Sequence, residues 1–305
     1  MGRGDGRSRS RRAGDPSPRA PHRAVRQGTL PVDPEDMPAA IRRPRPVLVL
    51  LSALALSGLA LPALGLAQGK TELTWFGHAA FTLRTPGGTV LAIDPWFTNP
   101  KAPDKGLVES IPKVDFILIT HGHFDHVGDA VALAKRTGAK LITSSDLGAA
   151  LVGAGYPKEQ AGLDTLGNAG GQIQAGDATV TMVPAVHGSG FGEDARTAGN
   201  PLGFVIRVKG GPAFYHTGDT DLFQDMRLIP QRYGPIDVML ACIGGHFTMD
   251  PKGAALAAEW VKAKTVVPMH FGTFPVLTGT PAELRSALKG KAKVLEMTPG
   301  KAVTF

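Results

Sequence analysis

Four side chains that can bind metal lie within six consecutive residues of the chain. They are His121, His123, Asp125 and His126. Imidazole and carboxylate groups are common ligands of zinc and similar divalent ions. In an extended loop His121 and His123 point to the same side and can bind one ion, whereas Asp125 and His126 come from the next turn and can bind a second. Random placement of histidines rarely gives this spacing, which disfavours the alternative of solvated loop histidines.

Three further candidate ligands follow directly on short, apolar, strand-like runs. They are His187, Asp219 and His270. Gly218 would let the backbone turn sharply, so that the Asp219 carboxylate faces inward. A carboxylate has two oxygens and can bridge two ions, which an imidazole cannot readily do. The residue types therefore predict a site for two divalent ions.

Short strand-like runs alternate with helical patterns from Glu72 onward, and these elements must position the ligands. The ligand motif follows the continuous apolar run Val114–Thr120, as expected for a loop at the end of a buried strand. The pattern predicts helices at Val127–Arg136, Asp221–Arg232, Pro251–Ala263 and Pro281–Leu288. It predicts further strands at Glu72–Phe76, Ala80–Arg84, Thr89–Asp94, Lys140–Thr143, Thr179–Val186, Gly203–Val208, Ala213–Thr217, Val238–Ile243, Thr265–Met269, Val294–Met297 and Ala302–Phe305. Two sheet-rich halves carrying helices indicate one layered α/β domain over residues 68–305.

The candidate ligands lie in segments that resemble, in order, the ligand motifs of the metallo-β-lactamase superfamily: THGHFDHVGD (120–129), VPAVHG (183–188), YHTGDT (215–220) and PMHFGTF (268–274). TWFGHAAF (74–81) and CIGGHFTMDP (242–251) also resemble its bacterial metal-dependent hydrolase branch. That branch is related to ascorbate-phosphate lactonases and, more distantly, to the phospholipase D that cleaves N-acyl-phosphatidylethanolamines. The resemblance implies a four-layer αββα sandwich with the site at one edge of two sheets.

The resemblance also implies how the two ions are shared among the ligands. His121, His123 and His187 would hold the first ion, Asp125, His126 and His270 the second, and Asp219 would bridge them. The antibiotic-degrading members have a cysteine where this chain has Asp219, whereas phosphoesterase and lactonase branches have aspartate. We expect zinc, although an oxygen bridge also suits Mn²⁺ or Fe²⁺.

Two ions about 3.5–4 Å apart can share a water and lower its pKa towards about 7. We therefore expect a hydroxide to attack a small ester, lactone or phosphodiester. Asp125 and Asp219 would orient this nucleophile. The alternatives are a metallo-nuclease and a non-catalytic metal-binding protein.

Several other residues are candidates for supporting or substrate-binding roles. Asp94 ends a predicted strand and could support a ligand histidine through its second ring nitrogen, or simply cap a turn. His78 could lie at the cleft or in a surface turn. His246 follows two glycines and could contact the substrate or transfer a proton, or be structural. We expect His216 to pack near the site without binding metal.

The segment Ser189–Pro201 directly follows the ligand His187 and is predicted to be a mobile lid. It contains three glycines and one large apolar residue, Phe191. Loops on a rigid scaffold commonly carry specificity, so we expect Phe191 to contact the non-reacting part of the substrate. The alternative is a disordered surface loop.

The formal net charge of +7 is concentrated at the N-terminus. Residues 1–67 contain 11 arginines and 5 acidic residues, which leaves 22 basic and 21 acidic residues in the remainder. A nearly neutral domain predicts a small-molecule substrate and no nucleic-acid partner. The single cysteine, Cys242, lies in an apolar run and is expected to be a buried, inert thiol.

The N-terminal region is predicted to direct export. Residues 1–36 are rich in Arg, Gly, Pro and Ser and are expected to be disordered or a mis-assigned extension, with Met37 as the true start. Residues 37–67 have the basic start, apolar middle and small-residue end of a signal peptide. Cleavage after Ala67 would give a periplasmic or secreted protein without stable membrane insertion. The alternative is a membrane anchor formed by residues 47–67.

Overall fold

The computed structural model describes residues 69–305, which contain two seven-stranded β-sheets and a separate two-stranded ribbon. The predictions for residues 1–36 and 37–67 lie outside the described residues. Among residues 69–305, every helix is too short or too polar to cross a membrane.

The first sheet joins the beginning of the described chain to its end. Its strand order is β16-β1-β2-β3-β4-β5-β6, antiparallel from β16 to β3 and parallel from β3 to β6. The strands are β1 (Glu72–Trp75), β2 (Phe81–Arg84), β3 (Val90–Ile93), β4 (Phe116–Leu118), β5 (Lys140–Ser144), β6 (Leu166–Gly167) and β16 (Ala302–Thr304).

The second sheet has the order β15-β14-β13-β12-β11-β8-β7. Strands β12 to β15 are parallel, and β7, β8, β11 and β12 are antiparallel neighbours. The strands are β7 (Gln172–Ala175), β8 (Ala178–Pro184), β11 (Leu202–Val208), β12 (Ala213–His216), β13 (Val238–Cys242), β14 (Thr265–Met269) and β15 (Lys293–Val294). The ribbon consists of β9 (Gly190–Phe191) and β10 (Arg196–Thr197).

The helices lie in the connections between strands. They are α1 (Leu107–Ser110), α2 (Phe124–Val127), α3 (Ala130–Thr137), α4 (Ser145–Gly153), α5 (Leu228–Tyr233), α6 (Pro251–Trp260) and α7 (Pro281–Leu288), with 3₁₀ turns at Lys158–Gln160 and Gln224–Arg227. Helix α7 begins with Pro281 after a capping box between Thr280 and Glu283, which satisfies the free N–H groups of its first turn.

Side chains of successive strand residues point to opposite faces of the sheet, and they contribute to two separate hydrophobic cores. In the first sheet Phe81, Leu83, Leu91 and Ile93 face the second sheet, while Ala92 and its alternate neighbours pack against α1, α3 and α4. The opposite face of the second sheet is covered by α6 and α7. This arrangement is the four-layer αββα sandwich that the resemblance to the metallo-β-lactamase superfamily implied. Cys242 is fully buried in the larger core.

Most predicted strands occur within one or two residues of their expected bounds. The helix predicted at Val127–Arg136 begins only at Ala130, because the chain turns at Gly128, which has φ 25°, and Val127 ends the short α2. The helix predicted at Asp221–Arg232 is a 3₁₀ turn followed by the short α5. The elements that were not predicted are α1, α2, α4, β6, β7, β9 and β10.

Candidate metal centre

The predicted ligands meet at one edge of the sandwich because each follows the carboxyl end of a strand. The motif 120–126 follows β4, and the other ligands follow strands of the second sheet that run in a common direction: His187 after β8, Asp219 after β12 and His270 after β14. A rigid two-sheet scaffold thus brings together residues that are up to 149 positions apart in the chain.

Three histidines form a first cluster that could hold a metal ion. Nδ1 of His123 lies 3.0 Å from Nε2 of His121 and 3.3 Å from Nε2 of His187. His121 is fully buried, whereas His123 and His187 are partly exposed to the cleft. The converging ring nitrogens are the donor set that a small divalent ion requires.

A second cluster combines carboxylates and histidines. Nε2 of His270 lies 2.8 Å from Oδ2 of Asp219 and 3.7 Å from Oδ2 of Asp125. Nε2 of His126 lies 3.3 Å from Oδ2 of Asp219. The structure therefore brings all seven predicted ligands into one continuous group.

Asp219 lies between the two clusters. Its Oδ2 atom, which contacts His126 and His270, is also 3.7 Å from Nε2 of His187 in the first cluster. Its Oδ1 atom is buried and has no hydrogen-bond partner. Nε2 of His126 and Nε2 of His270 are also buried without a hydrogen bond, because their close approaches to Oδ2 lack hydrogen-bond geometry. Buried polar atoms without partners are costly in a native protein unless they serve a ligand or an ion. The donor set therefore fits a divalent metal centre to which Asp219 can contribute.

Asp94 orients the ligand loop from behind. Its carboxylate accepts hydrogen bonds from the backbone N–H and the hydroxyl of Thr120 and from Nδ1 of His126, all at 2.8 Å. The Thr120 hydroxyl also lies 3.0 Å from Nδ1 of His121. Because Nδ1 of each histidine donates to these acceptors, Nε2 is the ring nitrogen that would bind a metal, once it is deprotonated. This position is the one predicted for a supporting residue.

The charges of the two clusters differ in the metal-free protein. Burial lowers the pKa of His121 well below its ordinary value, and burial also lowers the pKa of His123 and His187. Burial would lower the pKa of His270 too, but the Asp219 carboxylate raises it to about 9. Burial alone would raise the pKa of Asp219, yet the adjacent His270 and His126 hold it well below its usual range.

Backbone strain is concentrated at this edge. Among residues 69–305, seven non-glycine residues have a positive φ, and four are predicted site residues: His78 (50°), Asp94 (43°), His246 (27°) and His270 (57°). Such conformations cost free energy and persist at sites where the surrounding structure enforces them. The backbone N–H of His270 donates to the carbonyl of His78, which fixes these two strained segments against each other.

His78 is fully buried, so the surface-turn alternative is wrong. Its Nε2 atom lies 2.9 Å from Oδ2 of Asp125, and its Nδ1 atom lies 2.9 Å from the hydroxyl of Thr273. Burial lowers the pKa of His78 to about 4. The residue therefore lies behind Asp125, in contact with a predicted ligand and away from the open side of the cleft.

Two predicted substrate-contact residues do not enter the cluster. His246 is exposed, and its ring packs against Phe247 rather than against a ligand. Phe191 is partly buried against the core beneath α3 and α4 and does not line the cleft. The segment Ser189–Pro201 contains the β9–β10 ribbon, so the alternative of a disordered surface loop is wrong. His216 is buried behind the site and lies 3.3 Å from the carbonyl of Ala79, as expected for a packing role.

The apolar lining of the cleft was not predicted from the sequence. A cavity of about 420 Å³ opens over the cluster of candidate ligands, and its apolar side chains come from α2 and from the loops after β13 and β14: Phe124, Phe247, Phe274 and Val276. One signal was available, because Phe124 lies within the ligand motif, where a large apolar residue has no core to fill.

Comparisons with known proteins agree with this geometry. Residues 89–271 match the family described as "Beta-lactamase superfamily domain". A metal-dependent hydrolase of Anaeromyxobacter sp. (strain K) is 72% identical over 242 residues, which cover 78% of this chain and 88% of that protein. A metal-dependent hydrolase of Thermodesulfovibrio yellowstonii is 48% identical, and the match covers 77% of this chain and 92% of that protein. The solved structure of Igni18, a metallo hydrolase from Ignicoccus hospitalis, is 38% identical in sequence and superposes with a TM-score of 0.68. The match covers 77% of this chain and 98% of that chain.

Fold, site and relatives together define the class, a metal-dependent hydrolase of the metallo-β-lactamase superfamily. Within this class, the chain belongs to the UPF0173 metal-dependent hydrolases.

Proposed function

We propose that this enzyme uses two divalent ions, zinc in the first instance, to hydrolyse a small ester, lactone or phosphodiester. The observation that carries the proposal is the position of Asp219. One of its carboxylate oxygens lies within 3.7 Å of a nitrogen of the three-histidine cluster and within 3.3 Å of two nitrogens of the second cluster. A single carboxylate at the junction of two donor sets supports a shared, dinuclear centre.

Divalent ions held here would lower the pKa of a shared water and polarise an oxygen of the substrate. The residue that would position the attacking water is Asp125. Asp125 lines the cleft, and its pKa lies well below the usual range because His126, His270 and His78 surround it, against the opposing effect of burial. Its ionised carboxylate can accept a hydrogen bond from the attacking water and hold that water in line with the substrate.

The lining of the cleft favours a hydrolase of small molecules over a nuclease. Among the described residues that line it, none is a lysine or arginine. Nucleic-acid binding relies on such cations to neutralise phosphates. A cavity of about 420 Å³ suits a small-molecule substrate.

The experiment is a substrate panel with defined metal loading. Chelated protein is reloaded with Zn²⁺, Mn²⁺ or Fe²⁺ and assayed on p-nitrophenyl acetate, γ-butyrolactone, bis(p-nitrophenyl) phosphate, a β-lactam and single-stranded DNA. We expect metal-dependent turnover of an ester, lactone or phosphodiester, and loss of that turnover on chelation. Turnover of DNA alone would favour the nuclease, and no turnover above the Asp219→Asn variant with any metal would contradict the proposal.

A further inference from the structure

We propose that the cleft recognises an uncharged alkyl or aryl group attached to the scissile ester or lactone, held against an apolar rim formed by Phe124, Phe247, Phe274 and Val276. This inference rests on the proposed function and narrows its substrate class.

Exposed apolar side chains are concentrated around the metal cluster. Within the described part of the chain, seven large hydrophobic residues are exposed, and three of them line this cleft: Phe124 at 65%, Phe247 at 55% and Val276 at 44%. A fourth, Val186, directly precedes the ligand His187. Exposed apolar residues that occur singly need no explanation, but a group around one cavity indicates a binding surface.

One side of the rim is a packed aromatic wall. Trp96 stacks on Phe274 with ring centroids 6.0 Å apart, and Phe124 meets the edge of Trp96 at 5.6 Å. Trp96 also packs edge-on against His78, whose ring lies 2.9 Å from the Asp125 carboxylate. The wall therefore rests on residues that hold a predicted ligand, so that an apolar group packed on it lies beside the reacting atoms.

Phe247 contributes to the rim from a different loop. Phe247 lies between β13 and α6 and faces the cleft from the second sheet. Rim residues from separate segments of the chain can contact an alkyl chain or ring at more than one point, which buries more apolar area than the aromatic wall alone.

The charges of the cleft disfavour a highly anionic ligand. The titratable lining residues are His123, Asp125, His187, Asp219 and His270, and all five belong to the predicted metal cluster. Among the described residues no lysine or arginine is left in the lining to pair with a second negative charge on the substrate. An uncharged apolar group needs no cationic partner, and its burial against the rim is favourable because it removes apolar surface from water.

The test uses p-nitrophenyl esters from acetate to octanoate with the metal-loaded full-length enzyme. Because the leaving group is constant, only the acyl chain varies. We expect kcat/KM to rise about fourfold for each methylene that the rim covers. Phe124→Ala and Phe247→Ala should flatten this rise while metal content stays unchanged. Leu163→Ala removes a fully exposed apolar residue that does not line the cleft, and it should leave the rise intact.

Binding separates failure of this inference from failure of the proposed function. Titration calorimetry with sodium alkanoates from acetate to octanoate measures affinity without turnover. We expect affinity to increase with chain length in the parent and Leu163→Ala proteins, and not in the two phenylalanine variants. No ester turnover together with this binding pattern would contradict only the proposed hydrolysis. Affinity and kcat/KM that are both independent of chain length, or a preference for p-nitrophenyl phosphate over every ester, would overturn the inference.

Discussion

Asp219 has the most constrained environment of the candidate site. Its side chain is buried, lies between two groups of histidines and leaves one oxygen without a hydrogen-bond partner. Gly218, at φ 62°, makes the turn that aims the carboxylate inward, and a Cβ there would come within 2.3 Å of the Leu202 carbonyl oxygen. A larger residue at position 218 would therefore displace the Asp219 carboxylate as well as strain the backbone.

The first prediction concerns the Asp219 charge. Asp219→Asn keeps the side-chain shape but removes the bridging charge, so kcat/KM should fall more than about 100-fold while cooperative unfolding is retained. The control is Asp221→Asn, which changes an exposed carboxylate two residues away. Steady-state kinetics and thermal unfolding provide the measurements, and near-parental turnover of Asp219→Asn at saturating metal would rule out the bridge.

The second prediction concerns protons released by metal binding. With a pKa raised to about 9, His270 is protonated in the metal-free protein at pH 7, whereas His121 is neutral because its pKa is lowered. An ion at the second cluster must displace the proton of His270 and also that of His126. The pKa of His126 is raised well above its ordinary value by the Asp219 and Asp94 carboxylates, against the opposing effect of burial. The affinity for this ion should therefore rise with pH. An ion at the three-histidine cluster should release little or no proton. Calorimetry at pH 7 in buffers of different ionisation enthalpy measures the number of protons released by the first and by the second equivalent of metal. Equal proton release from the two equivalents would contradict the predicted difference between the two clusters.

At the scale of elements, the site depends on strand ends held in register. Parallel pairing of Ile93 with Leu118 places Asp94 beside Thr120, and the Asp94 N–H donates to the carbonyl of Leu118. The β9–β10 ribbon closes the other side of the ligand loop, where the Gly122 N–H donates to the hydroxyl of Ser189. A Cβ on Gly122 would lie 3.0 Å from the Gly190 carbonyl, so this contact tolerates little extra volume.

The third prediction follows from the ribbon. Phe191 packs against the helix-side core, so Phe191→Ala should lower stability by about 1–3 kcal/mol and loosen the three-histidine cluster, with KM unchanged within about twofold. This replaces the expectation that Phe191 contacts the substrate. Phe247→Ala is the matched control, and it should raise KM for long acyl esters without lowering the unfolding temperature. A raised KM for Phe191→Ala at unchanged stability would restore the lid hypothesis.

Features that arise from neighbouring residues in the chain could be predicted from the sequence, whereas features that arise from contacts between distant residues could not. The ligand motif at 120–126 and the strands that end at the other ligands leave local patterns, so the sequence alone indicated the fold and all seven candidate ligands. The burial of His78 depends on contacts with Asp125 and with Thr273, 195 positions away, and no local pattern encodes such contacts. The apolar rim escaped prediction for the same reason, because Phe124, Phe247 and Phe274 meet only in the folded chain.

At the scale of the whole molecule, the basic N-terminal region contrasts with the nearly neutral remainder of the sequence. We propose that the enzyme acts outside the cytoplasm after removal of residues 37–67. The fourth prediction is that N-terminal sequencing of the protein from its native cell finds Gln68 or a near neighbour. Mature protein that retains residues upstream of Met37 would contradict this proposal, and recovery in the membrane fraction with residues 47–67 intact would support the anchor.

The central claim concerns the whole metal centre, and metal counting tests it most directly. Elemental analysis of folded, unchelated enzyme should find close to two divalent ions per chain. The double variant His121→Ala/His123→Ala should retain at most one ion, while the control Asp221→Asn should retain two. A folded, unchelated preparation that contains no metal, or a double variant that still binds two ions, would contradict the dinuclear account.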